Sequence, residues 1–99
     1  DNMDIRIQSL KFDADQKLID FIEKKFSKLP KFYDEISNVE IVLSLLPDHE
    51  NKNVKVMVEV PGNQILVERH SKTFENAAVD CVDVLKDLLV KAKEKRKEP

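Results

Sequence analysis

Glycine occurs once in these 99 residues, at Gly62, cysteine once, at Cys81, and tryptophan not at all. A lone glycine cannot build a phosphate-cradling loop, which needs several positions where the backbone can approach an anion closely. A lone cysteine excludes an internal disulfide. The two histidines, His49 and His70, are separated by twenty-one residues and lack the short spacing of a metal site. No apolar run is long enough for a signal peptide or a membrane span, so a cytoplasmic location is expected. Nucleophile elbows and zinc motifs are missing too. The expectation is a protein that is not an enzyme, with no catalytic residues, no cofactor, no metal, no membrane partner and no small-molecule substrate.

What is present is an ordinary apolar fraction of 41% beside a high charged fraction of 36%, mixed in sign, with a net charge of −2. A chain of this length buries roughly 60 to 70% of its unfolded surface, enough for one core, and a single domain over 1–99 is expected. Asp1 and Asn2, ahead of Met3, are given no structural weight, and 96–99 are expected to fray. Net acidity argues against indiscriminate coating of nucleic acid, but charge acts through its distribution as well as its sum.

Asp4 to Ser9 alternates, with Ile5 and Ile7 on one face, the period of a half-buried strand. From Leu18 the period turns helical through Phe21, Ile22, Phe26 and Leu29, with Asp13 or Asp15 as N-cap and Pro30 as terminator or kink. After a turn at Phe32 to Glu35, Val39, Ile41, Leu43 and Leu45 share one strand face, and Val54, Val56, Val58 and Val60 share the next, joined by a polar connection from Pro47 to Asn53. Pro61-Gly62 has the chemistry of a type II turn, with Gly62 needed for positive φ, and leads into a strand from Asn63 to His70. Thr73 or Ser71 then caps a last helix whose apolar stripe is Phe74, Ala78, Cys81, Leu85, Leu88 and Ala92. The order is β-α-β-β-β-α, an α+β fold: a four-stranded mixed sheet with two parallel helices on one face. A right-handed crossover makes the first two strands parallel and hairpins join the rest.

Within that frame, Cys81 reads as a small buried hydrophobe. Asp80, Asp83 and Asp87 read as a solvated flank, with Asp87 in an i, i+4 pair to Lys91. A lysine near a helix C-terminus complements the dipole, but the excess here goes beyond that. Lys17, Lys24 and Lys28 recur at i, i+7, i+11 on the first helix, and Lys86, Lys93 and Lys97 repeat the spacing on the second. With Lys31, Lys91, Lys95 and Arg96, these stripes are expected to converge at one end of the domain and to contact phosphates. On the far sheet face, Val42, Met57 and Leu66 interrupt a polar surface. Cross-strand pairing or a weak protein contact, self-association included, both account for them.

The frame Phe26-x-Lys28-Leu29-x-x-Phe32-x-Asp34-x-Ile36, the pair Val60-x-Gly62, and Ala77-Ala78 followed by Asp83-x-Leu85-x-x-x-Leu89-x-Lys91-x-Lys93-x-Lys95 resemble the ribosome hibernation-promoting factors. These are also called ribosome-associated inhibitors and labelled sigma-54 modulation proteins. The resemblance runs from Met3 to Lys97, and lies in spacing and order more than in any single sharp motif. It implies the β-α-β-β-β-α fold and action without chemistry: binding to the small ribosomal subunit between head and body, in tRNA and mRNA space, with basic helix residues on ribosomal RNA. By matched position it implies Lys25, Lys28, Lys91, Lys93 and Lys95 as contact residues. Lys24, Lys31, Lys86 and Lys97 join them by charge and placement.

The chain departs from the family where Asp87 and Leu88 replace a commoner basic residue and glutamine. It also stops after the basic helix, as a short form or an isolated N-terminal domain would. Two readings of function stand: a ribosome-binding translation inhibitor using the helix lysines, and a protein-interaction module using the Val42, Met57 and Leu66 face.

Overall fold

The computed structural model describes residues 3–97. Its elements are β1 (Asp4–Ser9), α1 (Gln16–Phe26), a 3-10 helix (Leu29–Lys31), β2 (Asn38–Leu45), β3 (Lys52–Val60), β4 (Asn63–Ser71) and α2 (Phe74–Lys97). The expected β-α-β-β-β-α fold is the observed one. The sheet order is β1-β2-β3-β4, with β1 parallel to β2 and the other pairs antiparallel. Each helix follows a strand and returns antiparallel to it, so α1 and α2 run in the same direction.

Strand register explains the two faces. Val39 is opposite Val58, Ile41 opposite Val56 and Leu43 opposite Val54, and all six are fully buried. Because side chains alternate across a strand, one register places every one of them beneath the helices. The other face carries Glu40 opposite Met57 and Met57 opposite Leu66. Asn53, on that open face, is buried nonetheless: its Nδ2 donates to Ser44 Oγ at 3.2 Å and to Glu68 Oε2 at 2.8 Å.

α2 packs on β3 and β4, while α1 lies beside α2. Asp15 is the N-cap of α1, its carboxylate accepting from Leu18 N at 2.9 Å, and Thr73 Oγ1 accepts from Asn76 N at 3.1 Å ahead of α2. Ser71, the alternative cap, is instead the last residue of β4. Phe12 stacks on Phe74 with centroids 5.2 Å apart, pinning the approaches to both helices together.

Several boundaries differ from expectation. α1 ends at Phe26, and Leu29 reaches the core from the 3-10 helix, because Pro30 accommodates a tight turn but not a continued α-helix. Lys28 therefore precedes the 3-10 helix and does not extend a stripe on α1. Leu45, at the end of β2, is 47% exposed, because the helical layer does not reach it. Leu89 is the fully buried residue of late α2 and Leu88 only packs at the margin. Asn53 belongs to β3, not to the connection before it. α2 stays helical through Lys97; the expected fraying at 98–99, like the reading of residues 1–2, falls outside the described residues. Gly62 has φ +74°, the positive value a type II turn demands.

Cys81 is fully buried, with its Sγ 3.6 Å from Val54 O. Burial pushes its thiol from the ordinary 9.0 up to about 11; Arg69 opposes the shift, while Asp80 and Glu68 add to it. Between those values the unfolded chain has lost the thiol proton and the folded chain still holds it, so raising the pH favours unfolding. Against Cys81→Ala, the native protein should lose about 2–3 kcal/mol of relative stability as pH rises from the lower value to the upper. Chemical denaturation at stepped pH measures the difference; parallel profiles would contradict it.

Candidate nucleic-acid interface

Ser27 closes α1, its hydroxyl donating to Lys24 O at 2.8 Å and its N–H to Glu23 O. The chain then turns through the 3-10 helix, and Phe32 N donates back to Leu29 O at 2.9 Å. This tight exit brings Lys25, Lys28 and Lys31 onto one side of a hollow of about 240 Å³. Lys86 of α2 faces them, and Phe32, Val79, Val82 and Asp83 complete the lining.

Aromatic rings and one carboxylate hold two of these ammonium groups. Lys25 Nζ is 5.4 Å from the Phe21 ring centroid, and Lys86 Nζ is 5.7 Å from that of Phe32. Lys86 Nζ also lies 3.8 Å from Asp83 Oδ1, the one ion pair among the described residues. The expected pair between Asp87 and Lys91 is not formed. Lys24, about 100° around α1 from Lys25, is exposed and outside the hollow.

The remaining lysines divide. An α-helix turns about 100° per residue, so Lys86 and Lys93 follow the flank of α2 nearer α1, while Lys91 and Lys95 follow the opposite one. Lys91 and Lys95 line a separate hollow of about 460 Å³ with Asn63, Ile65 and Leu88. Lys93 is half-buried, and the side chain of Lys97 lies outside the described residues. The single cluster expected from sequence is thus two basic surfaces with the crest of α2 between them. Phe32 and Asp83 were not expected in the hollow. An aromatic interleaved with Lys28 and Lys31, and an acid three residues before Lys86, were the available signals.

A third hollow, about 180 Å³, is lined by Tyr33, Val60, Asn63, Ala92, Lys95 and Arg96, beside the last turns of α2. Tyr33 is 2% exposed, and its buried hydroxyl has no hydrogen-bond partner among the described residues.

The fold and these surfaces define a class: a small two-layer α+β domain with lysines gathered along paired helices. Residues 5–97 match the Sigma 54 modulation protein / S30EA ribosomal protein family, and the chain belongs to it. A ribosome hibernation promoting factor of Azotobacter vinelandii is 26% identical over 97 residues, covering 97% of this chain and 88% of that one. A ribosome hibernation promotion factor of Deinococcus radiodurans is 29% identical over 84 residues, covering 82% of this chain and 44% of its own length. A ribosomal subunit interface protein from Coxiella burnetii superposes with a TM-score of 0.84 at 26% identity, covering 93% of this chain and 99% of that one. The Thermus thermophilus Protein Y N-terminal domain, at 24% identity, shares the fold with a TM-score of 0.78 over 90% of this chain and 98% of its own. The family supports a ribosome-associated role in hibernation. Among the described residues no helix is long and apolar enough to cross a membrane.

Removing the Tyr33 hydroxyl breaks no hydrogen bond among the described residues and relieves a desolvation cost. Tyr33→Phe should leave stability unchanged or raise it by about 1 kcal/mol. Thermal unfolding checks this, and a loss of that size would reveal a partner for the hydroxyl.

Proposed function

We propose that the chain is a cytoplasmic translation inhibitor that binds the small ribosomal subunit through ribosomal RNA and occupies tRNA and mRNA space. The observation that carries this reading is the gathering of Lys25, Lys28, Lys31 and Lys86 around one exposed hollow, in a chain whose net charge is −2. Concentrating cations on one face while the whole stays acidic suits a localised polyanion. Lys91, Lys93, Lys95 and Lys97 extend the contact along α2, and Lys24 lies at its margin. Family membership and the names of the relatives support a ribosomal partner. No bond is made or broken in this mode of action.

The open sheet face supports a second reading as a protein-binding surface, weak self-association included. Leu66 is 60% and Leu10 42% exposed, and with Val42 and Met57 they line a hollow of about 440 Å³. The helix face carries the stronger argument, because its clustered lysines outnumber the one carboxylate among them, and an anionic partner relieves the remaining repulsion.

If four to six phosphates are neutralised, log affinity for the isolated subunit should fall with log salt at a slope of roughly −3 to −5. Lys28→Ala should reduce that slope by about 1, as expected for one lost phosphate contact. Sedimentation with purified subunits at stepped salt measures both. Salt-insensitive binding, or binding only to the large subunit, would overturn the reading.

Prebound tRNA and mRNA should exclude the chain. Simultaneous saturation of all three at unchanged affinity would place its site elsewhere. Lys28→Glu with Lys86→Glu should weaken binding more than Lys91→Glu with Lys95→Glu; the reverse order would move the centre of the interface to the outer flank of α2.

A further inference from the structure

The lysine hollow contains a carboxylate that a simple anion site would exclude. Asp83 shares the lining with Lys25, Lys28, Lys31 and Lys86, and its Oδ1 stands 3.8 Å from Lys86 Nζ. A phosphate entering between the lysines meets that negative charge at close range. Fold stability does not account for it: the Asp83 and Lys86 side chains are 65% and 47% exposed, and ion pairs so open to solvent contribute little. Helix capping does not account for it either, since Asp83 lies in the middle of α2, away from the N-terminal end where a carboxylate complements the dipole.

The rest of the lining also departs from a plain anion site. Phe32 and two valines give the hollow an apolar wall among its cations. A phosphate gains nothing from such a wall, whereas the face of a sugar or a base does. A ribonucleotide unit brings phosphates on either side of a ring that carries a 2′-hydroxyl able to donate a hydrogen bond. The ammonium groups here have no acceptor to offer that hydroxyl, and an ionised carboxylate is an acceptor only. Asp83 is the group in this hollow whose chemistry matches a donor on the ligand.

Resting on the RNA reading above, we propose that Asp83 accepts a hydrogen bond from one ribose 2′-hydroxyl while the surrounding lysines hold the adjacent phosphates. It is a specificity-determining residue: its charge weakens binding to any phosphate chain, and only a ribose offsets the loss. RNA is thereby favoured over DNA at this site.

One short single-stranded sequence, made as RNA, as DNA and as 2′-O-methyl RNA, tests the assignment by fluorescence anisotropy at low salt. Small-subunit sedimentation and thermal unfolding are run on the same proteins. The native chain should favour RNA over both analogues by about tenfold, the size of one hydrogen bond to a charged group. Asp83→Ala should lose that preference while binding DNA more tightly. Asp83→Asn, which keeps an acceptor oxygen without the charge, should bind all three more tightly and still favour RNA.

If the alanine and asparagine variants gain affinity alike for all three strands, Asp83 acts by repulsion alone and the inference falls. It falls equally if the native chain binds the subunit but shows no preference among the free strands, or does not bind them. Loss of binding to both subunit and oligonucleotide would overturn the RNA reading itself.

Discussion

Burial of the apolar seam of α2 against β3 and β4 is the interaction on which the rest of the structure depends. Cys81, Leu85 and Leu89 on the helix and Val54, Val56 and Val58 beneath it are fully buried. Fully burying side chains of this size contributes on the order of 2 kcal/mol each before entropy is charged against it. The seam therefore fixes the rotation of α2 about its own axis. Once that rotation is set, every charged residue of the helix has its flank assigned, without any polar contact needing to choose it.

A helix anchored along one side has two flanks and a crest, and the lysines of α2 are shared among them. α1 is less than half as long, at 11 residues against 24, and covers only part of α2. Its C-terminal end, with the 3-10 helix after it, comes level with Lys86 and forms the hollow there. The last turns of α2 run on past that point and line a hollow with Tyr33 and the strand ends Val60 and Asn63 instead. The difference in helix length, set by Ser27 and Pro30, thus decides which lysines stand together. It also explains how an acidic chain presents concentrated positive charge.

Much of the fold was legible in the sequence because burial imposes simple periods. Alternation over Val39 to Leu43 and Val54 to Val60 named the strands, and Pro61-Gly62 named the hairpin. The misreadings share a cause. Leu29 continued the helical spacing of α1 although it reaches the core from a 3-10 turn, and Leu45 continued the strand period beyond the cover of the helices. Leu88 and Leu89 are adjacent in sequence, and only the angle of docking decides which goes deeper. A period reports which residues share a face, but not where the opposing layer ends.

By itself the sequence determined the element order, the sheet face that is buried, the absence of a glycine-rich phosphate loop or a disulfide, and the family. These follow from local periods, residue types and counts, which need no knowledge of distant contacts. Tertiary structure alone decided how the lysines are grouped, and that Asp83 and Phe32 belong among them. Lys25, Lys28 and Lys31 lie more than fifty residues from Lys86, and what joins them is the angle and length at which two helices pack. Exposed lysines are free to follow the apolar stripe wherever it docks. Their own pattern carries no energy strong enough to record, in the sequence, the neighbours they will have.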